Sequence, residues 1–367
     1  MVATSLVLAL SSGLAALALP TQQPLIGINF ADEFKTSCNV NNPAAEKTYY
    51  GVGNNKDTNA GQVKLRISNG GAGLSGLVGA LADEFITYMV NKTDIDKRVD
   101  PFRVEWVKGD TTETLNYLAT GQADIGITYN KAAECQAMSD KVAARRVYGF
   151  RDHFYLVGPH NNPAGLNVYQ NGTANQTVFT QFQKIVSTGN NATHQSPPTR
   201  FLSRFDKSAT NIKDSELFVA IGQVPWGLAY SKWYHQYIMY PIDALKAAAL
   251  LEEYTITDRG TWLSTPKNIT EMLVLYNEGK DDETQDNPDV VEGPADPLLN
   301  PAFFLTSTKI CEENKDLADA FLDWVVDRAL GQEVIKGYRR NDSDEWLYTG
   351  APNRTDLRIQ NCTIQGS

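Results

Sequence analysis

The sequence predicts an α/β protein of two lobes with a hinge and a ligand cleft between them. Short apolar runs of strand length alternate with amphipathic helical patterns from residue 61 onward, which is typical of parallel sheets covered by helices. The alternation occurs once before residue 158 and again after it, and glycine-rich or hydroxyl-rich turns follow strands in both halves. A chain of 367 residues is long enough for two such units.

The first half has the clearer βαβ pattern. Leu77, Leu81 and Phe85 recur at the spacing of a helix face. Residues 19–60 are polar and Asn-rich, so we expect an extended arm before the first strand. Strands are predicted at residues 63–67, 102–108, 123–129 and 153–159, and helices at 75–90 and 111–121.

The second half repeats the pattern with a long acidic, Pro-rich loop at residues 279–297. Helices are predicted at 178–189, 214–222, 242–254 and within 311–338, and strands at 199–204, 254–259, 271–278 and 301–308. Strands 153–159 and 301–308 are expected to cross between the lobes. We therefore assign residues 61–158 to lobe I, 159–299 to lobe II, and 300–367 to the return to lobe I and a tail.

The N-terminus is typical of an exported protein. Residues 1–18 are apolar, with the small residues Ala16 and Ala18 near the expected cleavage point, and predict a signal peptide. No later apolar run has the length of a membrane span. Eight Asn-x-Ser/Thr sequons predict a secreted glycoprotein of eukaryotic origin: Asn91, Asn171, Asn175, Asn191, Asn268, Asn341, Asn353 and Asn361.

Four cysteines in an exported chain predict two disulfides, with three possible connectivities. Cys38 lies in the arm and Cys362 in the tail, and the ends of a domain often lie close together. We therefore expect the bond Cys38–Cys362 and, by elimination, Cys135–Cys311.

Charge and motifs exclude several function classes. The net charge of −10 argues against a nucleic-acid partner, although an acidic protein can still hold an anion in one local pocket. The sequence has no GxSxG, HExxH or metal-binding CxxC motif, and its four histidines are scattered. We expect a monomer without enzymatic activity, cofactor or metal.

The turn "SNGGAGLSG" is the first candidate binding site. Ser68, Asn69, Gly70 and Gly71 follow a strand and precede a helix, whose first amides and dipole favour an anion. The alternative is a turn that serves only strand-to-helix geometry.

The turn "FLSRFDKSATN" is the second candidate. It collects Ser203, Arg204, Ser208 and Thr210 before a helix, and the planar guanidinium suits an oxyanion. The alternative is a solvated turn with a capping side chain. In a third turn, "YTITDRGT", Asp258 and Arg259 are expected to form a structural ion pair, with a ligand or hinge role for Arg259 as the alternative.

These turns occur in an order that resembles the tungstate-binding periplasmic protein family, a branch of the type 2 solute-binding proteins. The matching segments are "ISNGGAGLSGLV", "GQADIGI", "LVGPHNNPAGL", "SRFDKSATN" and "YTITDRGT", spread from about residue 63 to 348. With the sequons and signal peptide, they indicate a fungal-type secreted relative.

The resemblance implies two α/β lobes that close over tungstate or molybdate without chemistry. By position, Ser68, Asn69, Thr111, Arg204, Ser208 and Thr210 match ligand-binding positions. The family's threonines in the first turn are replaced here by Asn-Gly-Gly, and we expect the amides of Gly70 and Gly71 to compensate. An ABC permease, usual for bacterial members, is not implied for a eukaryotic secreted chain. Phosphate, sulfate or an organic acid as ligand, a hydrolase, and a scaffold with a degenerate pocket stay open as alternatives.

Overall fold

The computed structural model describes residues 41–92, 98–170, 175–191, 196–228, 230–279, 296–339, 346–352 and 362. The signal peptide, the first part of the arm and most of the acidic loop lie outside these residues.

A mixed sheet forms the first half of the fold. Its strands are β1 (Lys47–Tyr49), β2 (Val63–Asn69), β3 (Arg103–Lys108), β4 (Ile125–Thr128), β5 (Ala143–Pro159), β10 (Leu299–Ser307) and β11 (Thr349–Gly350), in the order β1-β3-β2-β4-β10-β5-β11. Strands β3, β2 and β4 are parallel, as predicted, and their neighbours pair antiparallel. Asn69 lies opposite Lys108, so β2 and β3 end at the same edge.

Helices cover this sheet. They are α1 (Gly71–Ser75), α2 (Leu77–Val90), α3 (Thr111–Thr120), α4 (Lys131–Ser139), α10 (Glu312–Val326) and α11 (Gly331–Gly337). Helices α1, α2, α10 and α11 pack in the first core, and α3 and α4 pack in a separate buried cluster with Tyr148 and Phe303. The predicted helix 75–90 is divided because Gly76, at φ 97°, ends α1 in a left-handed conformation. Gly73 is required within α1, since a Cβ there would lie 2.1 Å from the Trp106 ring.

Strand β5 continues from the first core into the second. Phe150 packs in the first core, whereas Phe154 and Leu156 pack in the second. There β8 (Thr255–Asp258) and β9 (Leu273–Glu278) pair with β5. The remaining elements are α5 (Val178–Asn190), β6 (Phe201–Ser203), α6 (Ala209–Ala220), β7 (Tyr234–Gln236), α7 (Pro241–Leu250), α8 (Arg259–Ser264) and α9 (Lys267–Thr270). The two parts of the fold are called the first and second lobe below.

The predicted disulfide pairing is wrong. Cys135, in α4, bonds to Cys362 with their Cα atoms 5.1 Å apart. Cys311 is disulfide-bonded as well, so it is not the partner of Cys135, and Cys38 lies outside the described residues. The expected closeness of the two chain ends did not predict this bond. Before Cys362, β11 pairs with β5, which is the strand that directly follows α4 and its Cys135.

Four of the predicted glycosylation positions are described, and all are exposed: Asn91, Asn175, Asn191 and Asn268. The other four, Asn171, Asn341, Asn353 and Asn361, lie outside the described residues. Within the part of the chain that the structure describes, no helix has both the length and the apolar character needed to cross a membrane.

Candidate functional site

A cavity of about 340 Å³ lies between the lobes and is lined by turns from both. The first lobe contributes residues 69–71 and 108–111, and the second contributes 204, 206, 208–210 and 238–241. Four helices begin at this cavity, because Gly71, Thr111, Ala209 and Pro241 are the first residues of α1, α3, α6 and α7. Amides in the first turn of a helix have no partner within the helix and favour an anion.

Strand ends position the first-lobe side of the cavity. Asn69, the last residue of β2, accepts a hydrogen bond from the amide of Gly73 at 2.9 Å and donates to the carbonyl of Ile127 at 2.8 Å. Its amide group therefore fixes the turn that presents Gly70 and Gly71. Asp110 caps α3 by accepting from the amide of Glu113 at 2.8 Å.

Arg204 is the cation on the second-lobe side. It follows β6 directly and its side chain is 10% exposed. Its guanidinium donates to Asp206 at 2.5 Å, to the carbonyl of Met239 at 3.3 Å and to the hydroxyl of Thr210 at 3.4 Å. The charge of Arg204 is thus already partnered by groups of the protein itself.

More carboxyl groups than cations line the cavity. These carboxyl groups accept hydrogen bonds from other groups of the protein. Asp258 caps α8 by accepting a hydrogen bond from the amide of Thr261 at 2.7 Å, which is a structural role in this turn. The carboxyl group of Asp152 accepts a hydrogen bond from the backbone amide of His153 at 2.8 Å. Burial, reinforced by the charge of Asp258, raises the pKa of Asp152 well above its usual value. The neutral form therefore persists to higher pH than in an exposed aspartate, and a neutral carboxyl can donate a hydrogen bond to an anion.

Apolar side chains form another part of the cavity wall. Leu74, Ile238, Met239 and Tyr240 line it and are exposed to solvent. The Lys108 ammonium lies 4.7 Å from the centre of the Tyr240 ring and joins the lobes by a cation–π contact. A hydrogen bond to Glu46 raises the pKa of Lys108.

Seven of the nine predicted site residues line the cavity: Asn69, Gly70, Gly71, Thr111, Arg204, Ser208 and Thr210. Ser68 and Ser203 do not line it. Both are fully buried behind the turns, where Ser68 is hydrogen-bonded to Thr114 at 3.0 Å and Ser203 donates to Asp214 at 2.6 Å. These two serines support the turns from within the protein.

Sequence reasoning missed several residues of the cavity, among them Lys108, Asp152, Asp206 and Tyr240. Lys108 had a usable signal, because it ends a predicted strand parallel to the one that ends at Asn69. Asp152 lies in a charged segment of β5, and Tyr240 reaches the cavity only through packing of the lobes. Among the described residues, no group of three or more His, Cys, Asp or Glu side chains is arranged to hold a metal ion.

Asp214 supports the second turn from behind and makes the stability of this lobe depend on pH. It is buried, and burial raises its pKa from 3.8 to about 7. The folded state therefore binds a proton more tightly than the unfolded state, so this group favours folding below about pH 4 and its contribution is lost as pH rises through 7. We expect the wild type to lose on the order of 4 kcal/mol of unfolding free energy through Asp214 between about pH 4 and pH 8.

Asp214→Asn is expected to remove this part of the pH dependence, because an amide keeps the hydrogen bond with Ser203 and does not ionise. Urea unfolding of both proteins across that pH range measures the difference. Asp243→Asn removes an exposed carboxylate and is the matched control. Parallel stability curves for wild type and Asp214→Asn would contradict the prediction.

Comparisons with known proteins agree with this architecture. A family model described as the PBP superfamily domain matches residues 54–329. The crystal structure of a periplasmic protein described as a candidate metal binder is 43% identical, with a TM-score of 0.70, and the match covers 84% of this chain and 100% of that one. The tungstate-binding protein TupA from Desulfovibrio alaskensis G20 is 22% identical with a TM-score of 0.57, covering 80% and 99% of the two chains.

Two relatives are similar in sequence. TupA of Peptoclostridium acidaminophilum is 26% identical over 275 residues, which are 75% of this chain and 81% of that protein. A Haloferax volcanii protein, described as a candidate anion-binding protein of an ABC transporter, is 27% identical over 242 residues, 66% of this chain. The match spans only 62% of the Haloferax protein. The predicted type 2 periplasmic-binding-protein-like fold is confirmed, and the chain belongs to the PBP superfamily.

Proposed function

We propose that this protein binds a small oxyanion, tungstate or molybdate, in the cavity between its lobes and catalyses no reaction. The observation that carries the proposal is the convergence of helix N-termini and Arg204 on one cavity. Amides from α3 and α6 would hold the oxygens, with the hydroxyls of Thr111, Ser208 and Thr210 beside them. Arg204 would supply the charge-assisted hydrogen bonds.

Relatives from two sources support an anion as the ligand. TupA is named for tungstate binding, and the Haloferax protein is described as a candidate anion binder. The neutral form of Asp152 would add a donor to the site. We further propose a secreted, monomeric glycoprotein, on the basis of the signal-like N-terminus and the exposed sequons.

A second candidate ligand is an organic acid. Leu74, Ile238, Met239 and Tyr240 give the cavity an apolar wall that a tetrahedral oxyanion would not use. A carboxylate with a hydrocarbon or aromatic group would gain from burial against that wall.

Titration calorimetry with the full glycosylated chain tests the proposal. Tungstate and molybdate are expected to bind with dissociation constants below those of sulfate and phosphate, because the relative from Peptoclostridium acidaminophilum is named for tungstate binding. Benzoate and acetate are the matched pair for the second candidate, since they share a carboxylate and differ in apolar area. Absence of binding by every anion would contradict the proposed function, and tighter binding of benzoate than of tungstate would favour the organic ligand.

A further inference from the structure

We propose that Asp206 is a specificity-determining residue. Its carboxylate accepts the hydrogen bond from Arg204 that a bound anion would accept, and its negative charge disfavours anions of higher charge. The inference rests on the proposed function of the cavity as an anion site. It concerns what an anion has to displace in order to bind.

Asp206 holds two of the donors that an oxyanion would use. One carboxylate oxygen accepts from the Arg204 guanidinium at 2.5 Å, and the other accepts from the amide of Ser208, at the start of α6, at 3.1 Å. All three residues line the cavity. An oxyanion that engages both donors therefore has to compete with a carboxylate of the same protein.

The backbone on both sides of Asp206 adopts an energetically unfavourable conformation, which holds the carboxylate in this position. Phe205 has φ 46° and Lys207 has φ 63°, so left-handed residues flank Asp206 on both sides. Such conformations are unfavourable for residues other than glycine and persist where the surrounding structure enforces them. The turn bends the chain so that one carboxylate reaches back to Arg204 and forward to Ser208.

Displacement from Arg204 does not remove the Asp206 charge from the cavity. The side chain is only 16% exposed, and the residue belongs to the turn that lines the site. Repulsion between this carboxylate and a bound anion grows in proportion to the anion's charge. Asp206 is therefore expected to weaken the binding of a dianion more than that of a monoanion of the same shape.

Tungstate and perrhenate are suitable probes, because both are tetrahedral and carry charges of −2 and −1. Asp206→Asn keeps the side-chain shape and removes the charge. We expect it to tighten tungstate binding at least about tenfold and perrhenate binding about threefold, since the repulsion removed is halved for one charge. The dissociation constants are measured by calorimetry at fixed ionic strength, after thermal unfolding confirms that each variant folds.

Glu271→Gln is the matched control. It removes one exposed carboxylate of the second lobe that does not line the cavity, so the net charge changes by the same amount as in Asp206→Asn. We expect a change below about threefold for tungstate. Asp206→Ser, which keeps an acceptor for the Ser208 amide, is the second variant and is expected to act in the same direction as Asp206→Asn.

The outcomes separate this inference from the proposed function. Unchanged or weaker tungstate binding in both Asp206 variants, equal gains for tungstate and perrhenate, or an equal gain in Glu271→Gln would overturn the role of Asp206 while the wild type still binds anions. Absence of anion binding in the wild type and in every variant would overturn the proposed function itself.

Discussion

Arg146→Met is expected to lower the free energy of unfolding by about 3–5 kcal/mol, because it leaves a buried carboxylate without its cation. The Arg146 guanidinium contacts one oxygen of Glu134 at 2.7 and 2.8 Å, and the two side chains are 4% and 0% exposed. Thr128 donates to the other oxygen of Glu134 at 2.8 Å. Burial already raises the pKa of Glu134, and Arg146 opposes that rise.

The same variant should gain a pH dependence. Without Arg146 the pKa of Glu134 rises further above the unfolded value of 4.5, so the folded state binds the proton more tightly. Stability of Arg146→Met is therefore expected to be highest below about pH 4.5 and to fall as pH rises. Urea unfolding at several pH values measures both effects.

Arg145→Met is the matched control on the preceding residue. Arg145 pairs with Asp319 and Asp323 but its side chain is 35% exposed, so its loss is expected to cost less than about 1 kcal/mol. The double variant Arg146→Met/Glu134→Leu should recover most of the loss, because buried ion pairs can be replaced by apolar side chains. A single variant Arg146→Met as stable as Arg145→Met would show that the buried pair contributes little.

The same charged segment shows where sequence patterns did not predict the fold. Periodicity identified most helices and strands in both lobes, since their apolar residues face one core. Residues 143–152 were not predicted as strand, because Arg145, Arg146, Arg151 and Asp152 interrupt the apolar pattern. Within the fold, these charges meet partners from distant elements, such as Asp319 in α10. The partners are set by tertiary packing, which a local pattern does not contain.

The turns that form the candidate site could be predicted from the sequence, but the contacts between its side chains could not. Strand-to-helix turns with small or hydroxyl residues identified seven residues of the cavity wall, because such turns meet at one edge of a parallel sheet. The inward turn of Asp206 depends on left-handed backbone at Phe205 and Lys207, conformations that those residue types do not favour. The contact between Lys108 and Tyr240 depends on how the lobes pack against each other.

Arg204→Ala is expected to weaken tungstate binding by about 10- to 150-fold. Charge-assisted hydrogen bonds contribute about 1.5–3 kcal/mol, and each 1.4 kcal/mol is one decade in the dissociation constant. Arg204 is the guanidinium within the cavity wall, and its loss also leaves the Asp206 carboxylate without the cation it now contacts at 2.5 Å. Both effects act against a bound anion. Calorimetric titration of tungstate into folded wild type and variant measures the change.

Three further variants separate charge, geometry and the Asp206 contribution. Arg204→Lys restores the charge without the planar fork of donors and should recover only part of the loss. Lys207→Ala removes an exposed cation from the same turn and should change affinity less than about threefold, because solvent and salt screen it. Arg204→Ala/Asp206→Asn should bind tungstate more tightly than Arg204→Ala, since the unpaired carboxylate is gone. Equal affinities for wild type and Arg204→Ala would show that the anion does not bind at this turn. An anion that accepts hydrogen bonds from the guanidinium has to bind less tightly when the guanidinium is removed.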